Sequence, residues 1–209
     1  MMRPMWIARL LITALAVLAG TTAFAQDQAY RVLETPQATS GEGVEVREFF
    51  SYGCPHCHDF EPRLAQWTDV MGDRVTVIHT PVTFGRDSWE LLARAYYAAE
   101  ALGILDNTHQ ALFEAIHIDG RQFQERSDIS AFYASVADVS EADVMDALGA
   151  FSVEASLSRA ERLVSAFGVP GTPALGIDGR YLIDVRAAGG QTGMLDVAES
   201  LVAEEAATR

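Results

Sequence analysis

A β-forming run that ends directly in a Cys-x-x-Cys at the start of a helix constrains this chain more than any other feature. Val44 to Phe50 sets the β-formers Val44, Val46, Phe49 and Phe50 among Glu45, Arg47 and Glu48, a strand pattern. Ser51-Tyr52-Gly53 breaks it, Cys54-Pro55-His56-Cys57 follows, and the residues from Pro55 to about Val70 read as a helix. Pro55 takes the first helical position, where a missing N–H costs nothing. A second strand is expected from Arg74 to Thr80, alternating Val75, Val77 and His79 with Thr76 and Ile78.

From Asp87 to Gly168 the period is helical. Asp87 with Glu90, and Ser140 with Asp143, have the spacing of helix N-caps followed by an acid at the third helical position. Leu91, Leu92, Ala95, Tyr96, Ala99 and Leu102 form one apolar stripe, and Leu112, Phe113 and Ile116 begin another. Strands return at Pro173–Ile177 and Arg180–Asp184, joined by Asp178-Gly179, which supplies the positive φ angles of a hairpin turn. A helix from about Thr192 to Ala206 closes the chain. The order predicts one α/β domain with an inserted all-helical subdomain at about 86–167.

The first 25 residues are of a different kind. Arg3 and Arg9 give a basic start, Leu10 to Gly20 is mostly apolar, and Ala23-Phe24-Ala25 fits a small-x-small cleavage site. The uncharged stretch after Arg9 is shorter than the roughly 20 residues of a spanning helix. The expectation is a signal peptide over 1–25, removed to leave a domain over 26–209, and export to the periplasm. The chain holds 15 Arg, no Lys and 29 acids, net −14; with Arg3 and Arg9 gone, 13 Arg face 29 acids and the net is −16. Such a surface repels phosphate backbones, so no nucleic-acid partner is expected. A hydrophobic fraction of 49% against 21% charged residues excludes a disordered or low-complexity chain.

Exported compartments let disulfides persist. A bridge between Cys54 and Cys57 closes so small a loop that it removes little entropy from the unfolded chain, so chemistry is the better reading than a structural tie. The helix N-terminus favours an anion at Cys54, the exposed end of the pair, and His56 is placed to add to that stabilisation. Cys57, one turn in, is the better buried. Stabilising the Cys54 thiolate makes the disulfide a stronger oxidant, so the motif points to donating disulfides.

Other readings compete. Cys54-x-x-Cys57-His58 matches the c-type haem attachment pattern literally, but the preceding strand and the strand–helix–strand order are the thioredoxin-like setting. A structural zinc site lacks a second Cys pair, and no metal or cofactor is expected. Of the other histidines, His58 is expected on the helix surface. His109 and His117, eight residues apart on one helix, are too far apart to share a metal at one turn and are read as packed or solvated. His79 is read as a satisfied core residue.

Glu48-Phe49-Phe50-Ser51-Tyr52-Gly53-Cys54-Pro55-His56-Cys57 with Phe60-Glu61-Pro62, and Gly168-Val169-Pro170-Gly171-Thr172-Pro173-Ala174-Leu175 with Asp178-Gly179-Arg180-Tyr181, resemble the DsbA family of periplasmic thiol:disulfide oxidoreductases. The resemblance spans nearly all of the chain after residue 25 and implies a thioredoxin-like fold with a helical insertion. It implies that Cys54 and Cys57 form the redox-active disulfide. It makes Thr172-Pro173 a cis peptide facing them, with Thr172 pairing to a bound substrate strand and Pro55 beside it; Pro170, followed by Gly171, fits that position less well. Glu48 and Glu61 match acidic positions that tune Cys57 or pass its proton. His79 falls where some relatives carry Lys, which puts an ion pair there in doubt, and Thr172 departs from relatives with Val before the cis-proline. Implied partners are reduced exported proteins, gripped by an apolar groove and by Thr172, and a DsbB-type quinone-linked membrane oxidase that restores the disulfide; a monomer is expected. An isomerase or reductase of the same fold is the nearest alternative, set aside because only about 18 residues lie between Ala25 and the first clear strand. A haem carrier and a chaperone-like binder that does not need Cys54 are the others.

Overall fold

The computed structural model describes residues 29–40 and 43–208, so the expected signal peptide lies outside the described residues. A five-stranded sheet is built from β1 (Arg31–Val32), β2 (Val44–Phe50), β3 (Val75–Pro81), β4 (Ala174–Ile177) and β5 (Tyr181–Asp184) in the order β1-β5-β4-β2-β3. Only β2 and β3 run parallel, joined by α1 (Pro55–Met71); the other pairings are antiparallel. The β2–β3 register sets Glu48 opposite His79. Five helices stand between β3 and β4: α2 (Asp87–Leu102), α3 (Leu105–His117), α4 (Arg126–Val136), α5 (Glu141–Gly149) and α6 (Phe151–Phe167). The last helix, α7, runs Gln191–Ala206.

Three buried clusters hold these elements together. Val44 and Val46 of β2 pack with Phe60 and Leu64 of α1, Leu175 and Ile177 of β4, and Met194 and Leu201 of α7. On the other face, Phe49, Ala174 and Leu182 meet Phe167 at the end of α6. Alternation along β2 sends Val44 and Val46 to the first of these clusters and Phe49 to the second, as a strand covered on both sides requires. The third cluster is the helical block, and Phe50, Tyr52, Cys54 and Cys57 belong to it. The cysteine pair therefore sits where the sheet meets the helices.

One detail differs from the sequence reading. Asp87 is the first residue of α2 and Arg86 is its N-cap, without a side-chain cap; Asp87 and Glu90 instead place two negative charges in the first turn, where the helix dipole favours them. Ser140 caps α5 as expected, its hydroxyl accepting from the Asp143 N–H at 3.1 Å. Pro62 lies inside α1, which runs on through it to Met71.

Candidate active site

Strand β2 ends at Phe50, and the turn after it delivers Cys54 in extended geometry (φ −100°, ψ 115°) as the N-cap of α1, with Pro55 as the first helical residue. The turn is fixed from within: the Cys54 N–H donates to Ser51 O at 3.0 Å, and the Gly53 N–H to Ser51 Oγ at 3.2 Å. It is also fixed from the helical block, because His117 Nε2 lies 2.7 Å from the Tyr52 carbonyl oxygen and Tyr52 OH lies 2.7 Å from His109 Nδ1. Gly53 has no room for a side chain, since a Cβ there would lie 2.7 Å from Trp89 Nε1.

Both thiols are free, and the residues are 7% and 0% exposed for Cys54 and Cys57. The Cys54 thiol donates to the Thr172 carbonyl oxygen at 3.5 Å, across the cis Thr172-Pro173 peptide bond. Hydrogen bonds from the Cys57 thiol, the Thr172 side chain and the backbone N–H groups of Cys57 and His56 outweigh burial and draw the Cys54 thiol down to about 5. Burial pushes Cys57 far the other way, helped by its hydrogen bond to Cys54 and the charge of Glu48. The pair thus divides into one stabilised thiolate and one thiol that holds its proton.

The remaining predicted residues fall around this pair. Pro55 and Thr172 line an open cleft of about 560 Å³ beside Cys54, walled also by Phe84, Arg86 and Trp89. Arg86 lies over the Trp89 ring at 4.5 Å. The His56 ring is exposed, and what reaches Cys54 is the residue's backbone N–H; its carbonyl accepts from Gln191 Nε2 at 2.8 Å. Glu48, wholly buried on β2, sets Oε2 2.8 Å from His79 Nδ1; burial lifts its carboxyl to about 7 against the opposing hydrogen bond from His79. Burial works against a charged His79, but the hydrogen bond and charge of Glu48 prevail and raise it. Glu61, buried on α1, lies 3.3 Å from His109 Nε2; burial pushes its carboxyl up, but His109 and the charge of His79 bring it below the usual range.

The histidines were the least legible residues. His79 makes the ion pair that the sequence left in doubt, with Glu48 as its partner. His58 is not a free surface residue: its ring stacks on His117 with centroids 5.1 Å apart. His109, Phe113 and His117 repeat every four residues along α3, and that stripe facing the β2–α1 turn is the sequence signal for this wall of the site.

A family model described as DSBA-like thioredoxin domain matches residues 45–199. The chain belongs to the DSBA-like thioredoxin domain family. Among relatives, the thiol:disulfide interchange protein DsbA of Azotobacter vinelandii is 32% identical over 206 residues, covering 91% of this chain and 95% of that protein. The protein of the same name from Pseudomonas aeruginosa is 31% identical over 199 residues, 93% of each. The crystal structure of Pseudomonas aeruginosa DsbA superposes with a TM-score of 0.80 at 29% identity, over 87% of this chain and 94% of that one. That of the oxidoreductase DsbA from Xylella fastidiosa gives 0.79 at 30% identity, over 85% and 95%. The DsbA-type fold and the cysteine pair at its strand–helix junction thus agree in one chain.

Proposed function

We propose that this DsbA-family chain is a thiol:disulfide oxidoreductase that works as a donor, passing its Cys54–Cys57 disulfide to reduced exported proteins. The observation that carries the direction is the opposite pull on the two sulfurs: Cys54 drawn to about 5 and Cys57 pushed far up. A substrate thiolate attacks the Cys54 sulfur; the Cys54–Cys57 bond breaks, and Cys57 takes the electron pair and a proton. A second substrate thiolate then attacks the substrate sulfur of the mixed disulfide, and Cys54 leaves as the thiolate that the α1 N-terminus and Thr172 stabilise. The substrate leaves with the disulfide and the enzyme is left as the dithiol. Glu48 and Glu61 act behind the pair, tuning Cys57 or passing its proton. Thr172 and the Phe84–Trp89 side of the cleft hold the client strand, with Pro55 at its edge and the cis Pro173 fixing the loop.

Reoxidation falls to a DsbB-type membrane partner that passes the electrons to quinone, in the periplasm, to which residues 1–25 direct the chain. The protein works as a monomer. A haem carrier is disfavoured because Cys57, which would have to carry one of the thioethers, is 0% exposed. The test is single-turnover oxidation of a dithiol peptide by the preoxidised protein. One peptide disulfide per enzyme is expected, with no oxidation by Cys54→Ser. A preoxidised protein that leaves the peptide reduced, or a fully active Cys54→Ser, overturns the proposal.

A further inference from the structure

Glu61 of α1, His79 of β3 and His109 of α3 are far apart in sequence, yet a ligating atom of each lies within 4.8 Å of the others. We propose that these three side chains form a binding site for a divalent cation of the zinc(II) class, behind the cysteine pair. Two imidazoles and a carboxylate are a zinc donor set that leaves a fourth position open.

Each imidazole is already held from its other side. His79 Nδ1 is 2.8 Å from Glu48 Oε2, and His109 Nδ1 is 2.7 Å from Tyr52 OH. A carboxylate or hydroxyl on one ring nitrogen fixes the orientation of a metal-binding histidine and leaves the second nitrogen for the ion. The 3.3 Å between His109 Nε2 and Glu61 Oε1 equals the edge of a tetrahedron with metal–ligand bonds of about 2.0–2.1 Å. His79, at 24% side-chain exposure against 14% for His109 and 11% for Glu61, has the most freedom to close the remaining separation.

The second observation is the set of unpaired atoms. Glu61 Oε2, His109 Nε2 and Glu48 Oε1 are buried and none makes a hydrogen bond of good geometry, although His109 Nε2 lies 3.3 Å from Glu61 Oε1; they are three of five such side-chain atoms among the described residues. Glu48 is 0% and Glu61 8% exposed, so bulk water does not compensate them. Buried polar atoms are ordinarily satisfied, and the unpaired Glu61 Oε2 within this cluster marks a place for a ligand that accepts lone pairs. A cation there takes lone pairs from His109 Nε2 and Glu61. It also has an approach: His79 stands in the wall of an open cleft of about 550 Å³, with Glu45, Arg47 and Tyr97 among its other walls. The net charge of −14 favours cations near the surface.

The test uses the Cys54→Ser/Cys57→Ser protein, in which no thiolate competes. Zinc(II) titrated into it is expected to bind one equivalent by calorimetry and to raise the melting temperature, and cobalt(II) to give visible d–d bands of a four-coordinate site. His79→Gln, His109→Gln and Glu61→Gln each weaken zinc by about 100-fold or more, and Tyr52→Phe by about 10-fold. His58→Gln changes nothing. Should a His variant fail to fold, Glu61→Gln gives the same reading. No binding to the thiol-free protein overturns the proposal, as does unchanged affinity in the folded His79, His109 or Glu61 variants. Loss of binding in His58→Gln overturns it too, because it moves the ion to the His58–His117 stack. None of these outcomes bears on peptide oxidation by Cys54.

Discussion

Two thiols three positions apart acquire opposite acid strengths because one caps a helix and the other is enclosed by it. Cys54 meets donors on three sides, from Cys57, Thr172 and the α1 backbone, whereas Cys57 meets burial and the charge of Glu48. Absorbance of the reduced protein near 240 nm is expected to rise as one thiolate with a midpoint near pH 5, a rise absent from Cys54→Ser; a midpoint near the ordinary cysteine value contradicts the assignment. The stability consequence has a definite sign. A thiol whose folded value lies below its unfolded one contributes stability that is fully present above the unfolded value and is lost as pH falls through the folded one. The melting temperature of the reduced protein is therefore expected to climb between about pH 5 and pH 9 relative to that of Cys54→Ser, as a pH series of thermal melts reads directly. This asymmetry was legible from Cys54-Pro55-His56-Cys57 at a strand–helix junction. The route by which His56 acts was not, because a ring and a backbone N–H of one residue look alike in sequence. Nor was the Glu48–His79 pair, which depends on how β2 and β3 align.

At the scale of elements, hydrophobic period and turn chemistry located the strands on either side of the helices and the Asp178-Gly179 hairpin, since each is a local signal. What they could not show is which faces meet. Gly176 of β4 is an instance: it falls inside the strand expected at Pro173–Ile177 with nothing to mark it, but a Cβ there would lie 2.6 Å from Phe167 Cε1. That ring is nearly sealed, at 1% exposure, and packs on Phe49 with centroids 5.0 Å apart. Gly176→Ala is expected to cost about 1–3 kcal/mol as the end of α6 is pushed off the sheet. Chemical denaturation measures it, and an unchanged midpoint shows that the ring yields freely. The sequence stripe on α3 was likewise half legible: Leu112 and Phe113 read as core, whereas the use of His109 and His117 to hold the Tyr52 turn needed the fold to bring α3 beside it.

As a whole the molecule is arranged so that the helical block and the sheet share Phe50, Tyr52 and both cysteines in one buried cluster. Phe113, 0% exposed, touches the rings of Phe50, Tyr52 and His109 from α3. Phe113→Ala is expected to destabilise by about 3–5 kcal/mol. Because that cluster spans both parts, thermal unfolding should stay one transition; separate melting of the helical block counts against the shared core. The acidic balance, which at first served only to exclude nucleic acid, also bears on the site: with no Lys in the chain, its cations are Arg and protonated His, and the groups that stabilise the Cys54 anion are dipolar ones.

The contacts that complete the reactive centre come from late in the chain: Thr172, 118 positions after Cys54, and Gln191, 135 positions after His56. Polypeptides are made from the amino end, so the cysteines emerge well before the loop and helix that finish their surroundings. Until residue 191 has arrived, at least one of these two contacts is missing. The surroundings of the cysteine pair are therefore completed only late in the chain's synthesis.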